Sequence, residues 1–258
     1  MRRLLIRPGA IGDCIVSLPA LECLRADYTE VWVSSSNVSL IRFADHVHSI
    51  GSTGLDLVGV VETPPALLQR LRSFDSIVSW YGFNRPEFRE AVAGLPFEFY
   101  AALPSEGTEM PASDFYLSQV GFPPGTAPYI ECPREDGGFV AIHPFSGSPR
   151  KNWPTENFCE LARRLEQYAS VEWCIELDGE PRIADLYDLG CWLAKARLYV
   201  GNDSGITHLA AAVGAPVVAW FGPTDPAVWA PRGDHVVAVC NGDLDAMEEA
   251  CARLISHA

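Results

Sequence analysis

Short apolar runs and amphipathic stretches alternate along this chain. Residues 4–7 read as an apolar strand, and after the turn Pro8-Gly9-Ala10-Ile11-Gly12 the residues Ile15, Leu18, Leu21 and Leu24 recur at helical spacing. The same reading gives strands over residues 31–33, 47–50 and 76–79, and helices over 39–43, 65–71 and 86–92, the last two opened by proline. The middle, residues 101–138, is rich in Pro, Gly, Ser and Glu, with one helical piece over 114–120. A second series follows. Strands are expected over 139–143, 171–175, 198–200, 217–220 and 235–239, and helices over 155–165, 183–196, 206–213 and 243–255, with Thr155 as the N-cap of the first. Strand–helix alternation of this kind predicts parallel sheets with right-handed crossovers. Residues 123–138 read as the linker, dividing the chain into an N-terminal domain, 1–132, and a C-terminal domain, 133–258.

Charge narrows the function. Nineteen basic against thirty-three acidic residues leave a formal charge of −14 on 258 residues, which argues against a nucleic-acid partner. Lys151 and Lys195 are the only lysines. The longest apolar stretch, 209–222, is broken by Gly214 and Pro216 and falls short of the roughly 20 residues of a membrane span. The apolar part of the first eight residues is too short for a signal peptide. The eight cysteines are scattered and form no Cys-x-x-Cys or other metal-ligand spacing. They read as reduced thiols of a cytoplasmic protein, and no bound metal is expected.

In open parallel sheets the loops after the strands carry the chemistry. Three such loops stand out. The first, Pro8-Gly9-Ala10-Ile11-Gly12-Asp13, opens a helix, and its glycines allow close backbone approach to an anion. It lacks the third glycine of the dinucleotide fingerprint. On residue type Asp13 is a helix N-cap; the sharper reading is a general base facing a cleft. The second, residues 143–154, gathers Ser146, Ser148, Arg150 and Lys151, a local cationic group suited to phosphate in an acidic chain. The third, Asn202-Asp203-Ser204-Gly205-Ile206-Thr207-His208, carries two N-cap residue types before a helix whose free N–H groups suit a diphosphate. A weaker candidate is the proline-rich loop 222–233.

Taken together, residues 7–13 with Leu18-Pro19-Ala20-Leu21, residues 143–154 ending in Lys151…Trp153-Pro154, residues 200–214, and Phe221-Gly222-Pro223-Thr224-Asp225-Pro226 with Trp229-Ala230-Pro231 resemble glycosyltransferase family 9, the ADP-heptose:lipopolysaccharide heptosyltransferases and their relatives. The resemblance implies a GT-B fold, two Rossmann-like domains facing across a cleft, with the acceptor on the first and a nucleotide sugar mostly on the second. It implies inverting transfer without a metal or other cofactor, from a nucleotide-sugar donor, ADP-linked in the family, to a lipopolysaccharide core or related glycan or glycolipid. It places the protein in the cytoplasm, with peripheral contact at the inner membrane and no obligate protein partner. By the resemblance Asp13 is the catalytic base, and Gly9, Ala10 and Gly12 form the acceptor and phosphate loop. Ser146, Lys151, Asp203, Ser204, Gly205, Ile206, Thr207 and His208 would bind the donor, with Lys151 on the phosphates and Asp203 on the sugar. Two departures stand out. Phe145 occupies a position where the family has glycine, and the segment between residues 175 and 198 is short. Glu176 and Glu180 are candidates for the acid that holds the ribose. The alternative reading is a degenerate family member that binds a nucleotide sugar or a partner without transferring.

Overall fold

A computed structural model describes residues 1–133, 135, 137–175 and 182–257. The first half runs β1 (Arg2–Arg7), α1 (Ile11–Cys23), β2 (Tyr28–Val33), a 3-10 turn (Ser35–Leu40), β3 (His46–Ser49), α2 (Ile50–Thr53), α3 (Pro65–Arg72), β4 (Ser76–Ser79), α4 (Pro86–Ala91), β5 (Phe97–Phe99) and α5 (Ala112–Gln119). The second runs β6 (Phe139–His143), α6 (Thr155–Leu165), β7 (Ser170–Trp173), α7 (Leu186–Leu193), β8 (Leu198–Asn202), α8 (Gly205–Ala212), β9 (Val217–Phe221), α9 (Pro226–Trp229), β10 (Val236–Cys240) and α10 (Leu244–His257). Each half forms a five-stranded sheet, ordered β3-β2-β1-β4-β5 and β10-β9-β8-β6-β7. Every pairing within them is parallel. This is the two-domain GT-B arrangement that the alternation and the resemblance imply.

Central strands of a parallel sheet are covered on both faces and read as unbroken apolar runs. β8 and β9 follow this rule: every residue of the first is buried and all but Trp220 of the second. On one face of the second sheet Phe158, Leu161 and Leu165 of α6 pack with Met247 and Cys251 of α10. On the outer face of the first, Trp32, Leu71, Phe74 and Phe88 form a separate cluster. The inward faces share one continuous cluster, from Ile15 and Leu18 of α1 to Leu209, Ala210 and Val213 at α8. The two halves therefore meet through buried apolar surface. The linker lies along the second half, where Ile130 donates its backbone N–H to the Ala212 carbonyl (2.9 Å) and Gly137 to that of Lys195 (2.9 Å).

Several local expectations are corrected. The turn at Ser35–Leu40 replaces the helix expected over 39–43. Thr155 does not cap α6; it is the first helical residue, after Pro154, and makes no capping bond. The long helix expected over 183–196 contracts to Leu186–Leu193, because Asp185 accepts from the backbone N–H groups of Tyr187 (2.8 Å) and Asp188 (3.1 Å) and fixes its start. β5, α2 and α9 were not expected; all are four residues or fewer. β7 is the outer edge of its sheet, and among the described residues α7 is the only regular element between it and β8.

Candidate active site

The site is built where α1 and α8 begin. β1 ends in Arg7, whose guanidinium is buried under the loop that follows. It donates to Ser17 Oγ (3.2 Å), to the carbonyls of Pro8 (2.7 Å) and Asp13 (3.1 Å), and to the Tyr116 hydroxyl (2.9 Å). A buried charge is tolerated only when its donors are satisfied, and here satisfying them shapes the loop. From above, the Gly9 carbonyl accepts from Ser34 Oγ (2.8 Å) and Asn37 Nδ2 (3.2 Å). Asp13 is not the N-cap of α1. Ala10 holds that position, and Asp13, at the third helical residue, accepts the Ala10 N–H through Oδ2 (3.2 Å). One half of a capping box thus orients the carboxylate across the helix start.

α8 is capped by Ser204, whose Oγ accepts the Thr207 N–H (3.3 Å). Thr207 points inward, bonded to the Tyr199 hydroxyl (3.1 Å) and to the Asn202 carbonyl. Asn202 ties the second and third loops together: it accepts the Trp153 N–H (2.8 Å) and donates to the Pro144 carbonyl (2.7 Å). In the second loop Ser146 Oγ bonds to the Ser148 carbonyl (2.8 Å) and to Asn152 Oδ1 (2.8 Å), within the loop itself. Lys151 reaches across to Asp203, Nζ to Oδ2 at 2.7 Å.

These loops border a cleft of about 450 Å³ between the two sheets. Ala10, Gly12 and Asp13 line it from the first half, Gly147, Ser148 and Lys151 from the loop after β6, Asp203, Ser204, Gly205 and His208 from the start of α8, and Thr224 and Trp229 from the loop after β9. Eight of the twelve residues expected in the site are therefore together. Gly9, Ser146, Ile206 and Thr207 do not line this cleft: the side chains of Ser146 and Thr207 hold the loops, Gly9 is anchored through its backbone, and Ile206 faces an adjoining pocket. That pocket, of about 330 Å³, is lined by Phe145, His143, Ile11, Cys174 and Leu186 among others. The Phe145 ring stands edge-on to His143, centroids 6.5 Å apart, so it narrows this neighbour rather than the cleft of Asp13 and Lys151. Glu176 and Glu180 lie outside the described residues. Among the described residues no group of three or more His, Cys, Asp or Glu could hold a metal ion.

The sequence reading placed Ser148 in the cationic loop without counting it among the site residues, and it missed Arg7 as the support of the Asp13 loop and Asn202 as the tie between loops. An arginine closing an apolar strand and an asparagine closing another are the signals that could have found these two, since neither belongs in a core without partners.

Two helix starts can meet only because glycine stands at the crossing. A Cβ on Gly205 would lie 2.7 Å from Ile11 Cβ and 3.0 Å from the Gly12 nitrogen, and one on Gly12 3.3 Å from His208 Cδ2. Burial pushes the His208 imidazole down to about 4, against the pull of the Asp203 and Asp13 carboxylates. Burial also lowers His143 to about 4.

Comparisons with known proteins bear on the fold and on part of the sequence. Residues 168–253 match the sequence model of glycosyltransferase family 9 (heptosyltransferase). The chain is 29% identical over 123 residues to lipooligosaccharide heptosyltransferase 2 of Haemophilus influenzae, covering 37% of this chain and 35% of that protein. It is 30% identical over 152 residues to lipopolysaccharide heptosyltransferase 2 of Salmonella typhimurium, covering 47% and 37%. The matched region thus spans little more than a third of these curated relatives. In structure, E. coli ADP-heptose lps heptosyltransferase II superposes with a TM-score of 0.75 at 16% identity, over 100% of this chain and 99% of that one. A glycosyl transferase family 9 protein from Veillonella parvula gives 0.77 at 15% identity, over 100% and 98%.

Two predictions follow from this geometry. Gly205→Ala destabilises the fold by about 1–3 kcal/mol in urea unfolding, the range for overpacking, although alanine is the better helix former; an unchanged midpoint removes the close-contact argument. With both imidazoles held below the usual 6.5, the unfolded chain binds more protons than the folded one between pH 4 and 6.5. Stability is full above about 6.5 and falls as pH drops toward 4. A series of melting curves shows this loss, and His208→Asn makes it shallower; an equal slope in the variant assigns the loss to other groups.

A third of the chain, residues 168–253, thus matches the glycosyltransferase family 9 (heptosyltransferase) model, and the whole chain shares the two-domain fold of E. coli ADP-heptose lps heptosyltransferase II.

Proposed function

We propose that the protein transfers a sugar, heptose or a similar one, from a nucleoside-diphosphate donor to a hydroxyl of a lipopolysaccharide core or related glycan. The observation that carries this reading is the meeting of Asp13, Lys151, Asp203 and the start of α8 on one cleft between the two sheets. The acceptor lies on the Asp13 side. Its oxygen attacks the anomeric carbon while the bond from that carbon to the diphosphate oxygen breaks. The electron pair leaves with the diphosphate, and the acceptor's proton passes to the Asp13 carboxylate. A single displacement of this kind inverts the anomeric configuration.

The leaving diphosphate needs positive potential at the atoms where charge develops. The free N–H groups at the start of α8 and the Lys151 ammonium supply it, so the reaction runs without a metal or other cofactor. Asp203, beside the same helix start, holds hydroxyls of the donor sugar. An ADP-linked donor is favoured by the relatives, one of which is described as an ADP-heptose lps heptosyltransferase. No helix among the described residues is long and apolar enough to cross a membrane. The protein acts in the cytoplasm, and a glycolipid acceptor would bring it to the inner membrane face.

Asp13→Asn keeps an oxygen acceptor for the Ala10 N–H while removing the base. Turnover should fall by roughly 10²–10⁴, the usual worth of general-base catalysis, with the melting temperature little changed. A fully active variant removes Asp13 from the mechanism. Wild-type protein that binds a nucleotide sugar but neither transfers nor hydrolyses it is a binding protein instead. Transfer should also be unchanged after EDTA treatment; activity lost to EDTA and restored by Mg²⁺ or Mn²⁺ contradicts the division of roles between Lys151 and α8.

A further inference from the structure

The protein holds two of its donor-binding residues against each other. Lys151 Nζ and Asp203 Oδ2 are 2.7 Å apart. The lysine side chain is 36% exposed, the aspartate 6%. Among the described residues, Lys151 makes the one hydrogen bond and ion pair to the Asp203 carboxylate. Asp203 sits between the last strand residue of β8 and the Ser204 cap, so its backbone is fixed; Lys151 lies on the short 3-10 turn Pro149–Lys151 at the end of a long side chain. The aspartate is the stationary partner and the lysine the movable one.

On the reading of this cleft as the donor site, the two residues serve different parts of one ligand. The ammonium serves the diphosphate, and the carboxylate accepts from sugar hydroxyls. Turning the ammonium to a diphosphate takes away the partner of a nearly buried carboxylate, and a buried charge without a partner is costly. An intact nucleotide sugar offsets that loss, because its hydroxyls replace the lysine on Asp203. A bare nucleoside diphosphate cannot, having no sugar at that place.

We propose that the Lys151–Asp203 ion pair is a specificity device that favours the intact nucleotide sugar over the bare nucleoside diphosphate. It acts twice in a reaction cycle. On entry, only a ligand carrying both diphosphate and sugar exchanges the ion pair without leaving the nearly buried carboxylate unpartnered. After transfer, the sugar has gone to the acceptor and Asp203 again lacks a donor. The lysine returns to it, and the nucleoside diphosphate loses its cation and leaves. The pair thereby limits product inhibition and speeds product release, a step that governs turnover in many enzymes.

The test compares matched ligands by calorimetry. The base is chosen first, as whichever of ADP, GDP, UDP and dTDP raises the melting temperature most. Wild-type protein should bind the sugar-linked form of that nucleotide more tightly than the bare one. Asp203→Asn removes the charge, freeing Lys151 for the phosphates. The bare diphosphate should then bind about 10- to 100-fold more tightly, the equivalent of a hydrogen bond to a charged group. The sugar-linked form should gain nothing or lose, so that discrimination collapses. Asp203→Ala should give the same gain for the bare diphosphate. Since Ser204 caps α8, neither variant removes the cap. In the Lys151→Met background the gain from Asp203→Asn should vanish, which isolates the pair from either residue alone. Bare diphosphate bound equally or more weakly by both Asp203 variants overturns the proposal: the pair then stays closed on the ligand. Wild-type protein that binds no nucleotide overturns the donor-site reading itself, a failure distinct from the first.

Discussion

Everything chemical in this molecule depends on two helix starts being allowed to touch. α1 belongs to the first sheet and α8 to the second, and their first turns cross where Gly205 faces Ile11 and Gly12 faces His208. Side chains at either glycine would push the loops apart, and with them the Asp13 carboxylate and the N–H groups of α8. A helix start is a place of unsatisfied donors, which favours anions but is costly when buried without partners. Bringing two together therefore makes sense only beside an open cleft. The apolar cluster behind them, from Ile15 and Leu18 to Leu209 and Val213, holds the approach without any contribution from a ligand.

The polar framework is arranged so that each loop is held by a group that cannot itself react. Arg7 pins the loop of Asp13 from below, and Ser34 and Asn37 hold Gly9 from above. Asn202 joins the loop of Lys151 to the loop of Asp203, with one amide group serving two strands. Ser146 and Thr207 spend their hydroxyls on backbone carbonyls. What remains facing the cleft is a small set of groups in different charge states, with rigid supports behind them, as a preorganised site requires.

How far the sequence revealed this follows from the same division. Segments with a clear apolar pattern were legible: residues 139–143 and 76–79 match β6 and β4, buried strands that read as apolar runs, and 155–165 matches α6, whose one buried face repeats at helical spacing. β5, with three residues, was too short to show a period. Caps were harder. Thr155 and Asp13 have residue types that cap, but the proline before one and the alanine three residues before the other occupy the capping place, a choice set by backbone dihedrals rather than by composition. In the site, charged residues were placed better than hydroxyls. Lys151, Asp203 and Asp13 must face water or each other, whereas a serine or threonine is equally content turned inward against a carbonyl, as Ser146 and Thr207 are.

For an acidic protein, the anionic donor proposed here poses a problem that net charge cannot solve. With −14 overall, the field at long range repels a diphosphate. At physiological ionic strength that field fades over about 8 Å, so only the groups lining the cleft decide what stays. Those groups include two carboxylates and a single ammonium, Lys151, with a histidine that burial keeps uncharged near neutral pH. On the proposed reading, such a lining attracts an anion through directed donors, chiefly the N–H groups of α8 and one lysine that leaves a carboxylate to serve. On the proposed donor reading, affinity in this cleft is conditional on what else the ligand brings, and the sugar is as much a part of recognition as the phosphates that carry the charge.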